Sequence, residues 1–221
     1  MKILCVSDQI DPLIYTNSIK QRFADVDIVL SAGDLPMDYI DYIVSTLNKP
    51  MFFVFGNHHT EDYSYYSKGE SSPYELNTDF GMHSVGAAHA DKKVLYENGT
   101  IIAGLGGCMR YNKGENQFTD FQMKMKILKL IPGLLFNRIF RGRYLDILLT
   151  HASPLGIHDK EDLCHKGFKC FLWFLRVFKP KYLVHGHIHL YSLTDVRTSK
   201  YFDTQVINAY GHYLIDSGET Q

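Results

Sequence analysis

Two sheets packed face to face with helices outside make up the α/β architecture this sequence predicts, on three observations. Six apolar runs of strand length recur, at residues 2–6, 28–31, 51–55, 101–105, 146–150 and 182–185. They contain β-branched and aromatic residues and lack the polar alternation of a half-solvated strand, so they read as buried strands. Helix-length segments lie between several of them, the strand, helix, strand alternation of βαβ units. Short strand-like pieces near 192–196, 205–208 and 214–216 then suggest antiparallel additions at the end.

Taken in order, the first run ends at Ser7-Asp8 after four apolar residues, short of the roughly 7–15 of a secretion signal. Helices are expected over 14–23 and 37–47, flanking the second strand. The third strand gives way to a long loop, 57–80, rich in Tyr and Ser. A helical excursion follows over 119–140, with a break expected at Pro132-Gly133 because proline removes a backbone donor and clashes with the preceding turn. Residues 121–145 carry six Lys or Arg and no acid, interleaved with apolar side chains. The favoured reading packs the apolar side on the sheet and leaves the lysines in water. Contact with a membrane surface, a nucleic acid or a second copy stays open, because the apolar surface is wider than one seam. Residues 166–178 are apolar nearly all round, which implies burial between layers. No repeat, low-complexity stretch or linker interrupts the chain, so residues 1–221 are expected to form one domain.

Composition removes several function classes. With 23 basic and 24 acidic residues, the formal charge of −1 provides no global field for nucleic acid or anionic membrane. A 45% hydrophobic fraction argues against disorder. The four cysteines, at 5, 108, 164 and 170, are too sparse for a disulfide scaffold and lack paired C-x-x-C spacing. Reduced thiols and a cytoplasmic location are the expectation, with no run near the ~18 apolar residues of a membrane span. The unusual count is eleven histidines.

Those histidines matter through their positions. Five strands run into loops that begin with metal-ligand residue types: Asp8, Asp34, Asn57-His58, His151 and Gly186-His187-Ile188-His189. In α/β sheets the carboxyl ends of strands are where ligands bind, so side chains far apart in sequence can converge there. Two Asp, one Asn and three His form an oxygen and nitrogen set without thiolate, suited to one or two ions of Mn, Fe or Zn. Paired metals can grip both the attacking and the leaving oxygen of a phosphoryl displacement. Singly, each Asp or Gly-Asn is an ordinary cap or turn residue. The conjunction carries the reading.

In this order the residues resemble the calcineurin-like metallophosphoesterases, whose blocks run D-x-H, G-D, G-N-H-[DE], H and G-H-x-H. Here they stand as Asp8-Gln9-Ile10, Gly33-Asp34, Gly56-Asn57-His58-His59, Thr150-His151 and Gly186-His187-Ile188-His189. The resemblance implies a four-layer α/β/β/α sandwich of two mixed sheets flanked by helices. It also implies a hydrolase that cleaves a phosphodiester or phosphomonoester through a metal-bound hydroxide. Asp34 would bridge two metals, Asp8 and His189 would serve one, and Asn57, His151 and His187 the other. His58 would be the catalytic residue facing the phosphoryl group. Gly107-Cys108-Met109-Arg110-Tyr111 and the segment 150–168 look like bacterial phosphoesterases of this superfamily, which suggests Arg110, Asp159 and His165 as substrate-binding residues.

The sequence departs from the pattern twice. Ile10 stands where a histidine ligand would be and coordinates nothing. That leaves open a weakly held first metal, its rescue by Asp11 or Gln9, or a mononuclear site. His59 replaces an acid and cannot supply the negative charge that raises its neighbour's pKa. These departures favour the alternative of a non-catalytic or weakly catalytic scaffold of the same fold. A nuclease rests only on the basic run.

Overall fold

Strand alternation sorts the apolar residues of this chain onto two faces of each sheet, and both faces are covered. The computed structural model describes residues 1–61, 63, 66, 86–192 and 194–216. Strand β1 (Lys2–Ser7) pairs in parallel with β2 (Ile28–Ser31), which pairs in parallel with β3 (Met51–Phe53) and through it with β4 (Ala87–His89). The final strand, β13 (Gly211–Asp216), closes the other edge antiparallel to β1. The second sheet has the order β11-β12-β10-β9-β6-β5, built from β5 (Val94–Glu97), β6 (Thr100–Leu105), β9 (Ile147–Thr150), β10 (Tyr182–His185), β11 (Thr198–Tyr201) and β12 (Thr204–Asn208). Its four central strands are parallel, and β5 and β11 are antiparallel edges. Strands β7 (Cys108–Met109) and β8 (Gln117–Phe118) form a separate ribbon.

The layers follow from period-two alternation. Ile3, Cys5, Ile28 and Leu30 face Ile102, Ile147, Leu149 and Val184 across the space between the sheets. Their neighbours Leu4, Val6 and Val29 turn outward to meet Ile19 of α1 (Ile19–Arg22) and Tyr39, Ile40 and Ile43 of α2 (Met37–Leu47). On the far side Ile101, Ala103, Leu148 and Leu183 pack on Met123, Ile127, Phe171 and Phe174, from helices spanning Asp120–Arg141 (α3) and Lys169–Phe178 (α4). This is the four-layer sandwich of two mixed sheets.

Several expected elements are corrected. The first helix shrinks from 14–23 to Ile19–Arg22, because the carbonyl of Asp11 takes the N–H groups of Ile14 and Tyr15 in a separate turn. Helix α3 runs unbroken through Pro132. Pro132 lies on the solvent side, where a bend and a water-facing carbonyl are tolerated. Gly133 instead lets the helix approach β5, since a Cβ there would stand 3.1 Å from Val94. Helix α4 is buried on one face only, with Trp173 and Val177 exposed. Of the piece expected near 192–196, position 193 lies outside the described residues; the N–H groups of Tyr191 and Ser192 bind the Asp195 carboxylate, and the strand starts at Thr198. Most of the loop 57–80 lies outside the described residues. No helix among the described residues is long and apolar enough to cross a membrane.

Candidate metal centre

At the carboxyl ends of β1, β2 and β10 the chain turns through left-handed residues that are not glycine: Asp8 (φ 62°), Asp34 (φ 55°) and His187 (φ 66°). Such a backbone is uncommon outside glycine and costs roughly 1–2 kcal/mol per residue. It turns each side chain back over the strand ends. The flanking glycines make room: a Cβ on Gly56 would collide with the Asp34 carboxylate, and one on Gly186 with that of Asp8.

The chemistry follows from where the protons are. His151 Nδ1 lies 2.8 Å from the carbonyl of Ala32, and His187 Nε2 lies 2.7 Å from the carbonyl of Cys164. Carbonyls only accept, so each ring carries its proton on that nitrogen and turns a bare lone pair the other way. The bare nitrogens, His151 Nε2 and His187 Nδ1, face each other at 3.1 Å. Around His151 Nε2 stand Asn57 Oδ1 at 3.2 Å and Asp34 Oδ2 at 3.3 Å. Asn57 presents its oxygen because its Nδ2 donates to the Tyr111 hydroxyl at 3.2 Å.

Four acceptors thus converge, and Asp34, His151 and His187 are buried. Neutral imidazoles and a carboxylate repel in that arrangement unless a cation sits among them. Donors about 2.1 Å from one ion lie about 3.0–3.4 Å from each other, so the observed spacings fit a shared ion. A proton is the minimal substitute. Burial opposes charge on His151, but the Asp34 carboxylate outweighs it and lifts the ring to about 9. Burial, reinforced by His151, pushes His187 down to about 3. Asp34, His151 and His187 form a group able to hold a metal ion.

The other expected ligands form a looser pair. The Asp8 carboxylate accepts the His187 N–H at 3.0 Å and stands 3.8 Å from His189 Nε2. Burial lifts Asp8 to about 6, with Asp34 adding to the rise. His189 stacks on Tyr210 and shares its Nδ1 with the Tyr191 hydroxyl at 2.8 Å. The side chain of Ile10 is exposed, as is Gln9. Asp11 does not replace the missing ligand: its carboxylate is taken by His212 Nδ1 at 2.6 Å and the Leu13 N–H at 2.8 Å. Among the described residues, only the Asp34 group converges as a metal site at these strand ends.

His58 is exposed beside the cluster, its N–H donating to Asp34 Oδ1 at 2.7 Å. His59 is also exposed, in a left-handed conformation (φ 49°). Of the substrate-binding expectations, His165 lies at the centre, its ring 5.4 Å from that of His187. Arg110 ties β8 to α3 by donating to the Gln117 carbonyl and the Gln122 side chain. Asp159 closes its own loop by accepting the N–H groups of Gly156 and Gly167. Sequence reasoning missed Tyr111, which aims Asn57, and the Cys164 carbonyl, which fixes the His187 tautomer. Tyr111 falls in the 107–111 block already singled out, but a backbone carbonyl leaves no signal in residue type. A groove of about 380 Å³ opens beside His189, walled by His158, Lys160, Tyr191 and Asp195.

No curated protein matches the chain. Among solved structures, one covers 97% of this chain and 94% of its own at 12% identity, with a TM-score of 0.63. The protein TT1561 of Thermus thermophilus covers 95% and 89% at 14% identity, with a TM-score of 0.61. Both likenesses show the fold. The calcineurin-like phosphoesterase family, whose members bind divalent metal ions, matches residues 1–191, a span that includes the strand ends carrying Asp8, Asp34, Asn57, His151 and His187. By that match, over a sandwich and a ligand cluster of the expected kind, the chain belongs to the calcineurin-like phosphoesterase family.

Proposed function

We propose that the protein hydrolyses a phosphodiester or phosphomonoester with the help of a divalent metal ion, manganese, iron or zinc. The observation that carries this reading is the convergence of four potential ligand atoms, from Asp34, Asn57, His151 and His187, whose mutual repulsion a shared cation relieves. Bound there, the ion supplies a Lewis acid that lowers the pKa of water and neutralises phosphoryl charge. Asp8 and His189 form a second, weaker half-site that lacks the ligand Ile10 fails to provide.

The chain's own residues do the rest. His58 is anchored through its backbone to Asp34, which leaves its ring free at the mouth of the site. It donates a hydrogen bond to a phosphoryl oxygen and a proton to the leaving oxygen as the P–O bond breaks. His165 lies on the same mouth, and Lys160 in the adjoining groove offers a cation to an anionic leaving group. The four free thiols support a reducing, cytoplasmic setting, and the whole chain is taken as one functional domain.

Purified protein, analysed for metal and assayed with Mn²⁺ on bis-p-nitrophenyl phosphate and p-nitrophenyl phosphate, should turn over at least one of them. Asp34→Asn and His187→Ala should abolish both bound metal and turnover. His58→Ala should keep the metal and slow hydrolysis by about 10²–10⁴-fold for alkyl leaving groups. The loss should be smaller for p-nitrophenolate, which needs no proton. The second reading, a scaffold, is favoured by the exposed Ile10 and by His59 in place of an acid. Protein that holds metal yet turns over neither ester would establish it.

A further inference from the structure

Helix α3 is apolar on the side that faces away from the core. Its buried residues, among them Met123, Ile127, Leu130 and Leu134, fill the outer layer of the second sheet. On the opposite face Phe121, Met125, Leu128, Leu135, Phe136 and Ile139 are all exposed, Phe121 at 70% and Ile139 at 74%. At 100° per residue these six share an arc of about 100° and run for about 27 Å along the helix. A solvated helix has polar residues there. An exposed apolar stripe of this length marks an interaction surface.

The borders of the stripe say what kind of surface it meets. Lys124 and Arg138 flank one side and Lys129 the other, while the single acid of the helix, Asp120, is engaged with the Cys170 N–H. Lys124 and Lys129 make no ion pair among the described residues. Across Lys124, Trp173 of α4 is exposed beside Lys169 and Arg176 in a groove of about 380 Å³ that Lys124 and Asp120 also line. A second copy would set these cationic borders against each other. Nucleic acid would need cations along the centre of the face, where this helix is apolar. An anionic bilayer suits both parts: apolar side chains enter the acyl boundary and the flanking cations lie among the headgroups.

We propose that the outer face of α3, with Trp173 of α4, docks on the surface of an anionic lipid bilayer. The protein lies on the membrane and does not span it. Docking holds the start of α3 at the surface, and that start is linked to the metal centre through Arg110, Gln117, Tyr111 and Asn57.

Co-sedimentation of the full chain with vesicles tests this, comparing phosphatidylcholine alone with phosphatidylcholine containing phosphatidylglycerol. Trp173 is the only tryptophan of the chain, so its emission reports whether this face is the one in contact. Binding to the anionic vesicles with a blue shift is expected, and little of either with neutral ones. Each lysine contributes about fivefold, so Lys124→Gln with Lys129→Gln should weaken binding about 25-fold. Phe136→Ser with Ile139→Ser should abolish binding without changing the melting temperature, because both side chains are exposed. Three results would each overturn the proposal: no binding to anionic vesicles, binding without a Trp173 shift, or a soluble dimer that Ile139→Ser dissociates.

Discussion

His89 is buried against the rings of Phe53, Phe55 and Tyr66, and its Nε2 has no hydrogen-bond partner among the described residues. Burial therefore holds it neutral and lowers its pKa from 6.5 to about 4. The unfolded chain takes up this proton near pH 6.5 and the folded chain only near 4. The stability tied to a neutral His89 is complete above about pH 7.5 and is lost as the pH falls to about 4. A loss of up to about 3 kcal/mol is expected over that window, and His89→Leu should remove this part of the slope in urea unfolding. Residue type at a strand end suffices to expect Asp34, Asn57, His151 and His187 near one another, because the sheets bring strand ends together. It fails where a neighbour decides the role. Arg110 and Asp159 have side chains fit for a phosphate site, yet residue type does not foretell that the first donates to the Gln117 carbonyl and the Gln122 side chain, or that the second accepts the N–H groups of Gly156 and Gly167. Lys126 belongs to the basic run expected in water, yet it is buried against Asp91 at 2.9 Å and the Gly106 carbonyl at 2.7 Å. Nothing in the local sequence names a partner 35 positions away.

Among elements, α3 shows the same division. Its start is legible, since Thr119 and Gln122 form a capping box in which the Thr119 hydroxyl accepts the Gln122 N–H at 3.2 Å. Thr119→Ala should destabilise the protein by about 1 kcal/mol, read as a lower urea midpoint at unchanged slope. Its continuity is not legible, because Pro132 breaks a helix or merely bends it according to which side meets water. The strands β1, β2 and β10 are readable from sequence, being buried on both faces and bounded by turn residues. Short edge pieces such as β4 and β5 carry little pattern, since Ala87–His89 and Val94–Glu97 are only partly buried and owe their pairing to a neighbouring strand.

At the level of the whole molecule, the proposed metal ligands come from both sheets: Asp34 and Asn57 follow strands of the first, His151 and His187 strands of the second. An ion held by all four joins the layers and binds only the folded chain. At about a hundredfold excess of Mn²⁺ over its dissociation constant, unfolding should cost about 2.7 kcal/mol more. Asp34→Asn should erase that gain in the same urea titration. The layered fold is readable because apolar alternation and strand-end chemistry both concern the sheets, whereas the proposed second half-site depends on where Asp11 turns, and it turns to His212. The way the ligands are fastened has a kinetic meaning. Asp8 is tied to the His187 N–H, Asp34 to that of His58, His151 to Ala32 and His187 to Cys164, all by protein groups alone. Ligands held in this way need no refolding around an arriving ion, unlike those of small domains that fold only on metal uptake. Loading should therefore be a single fast second-order event without a lag, and removal by a chelator should leave the circular dichroism spectrum unchanged.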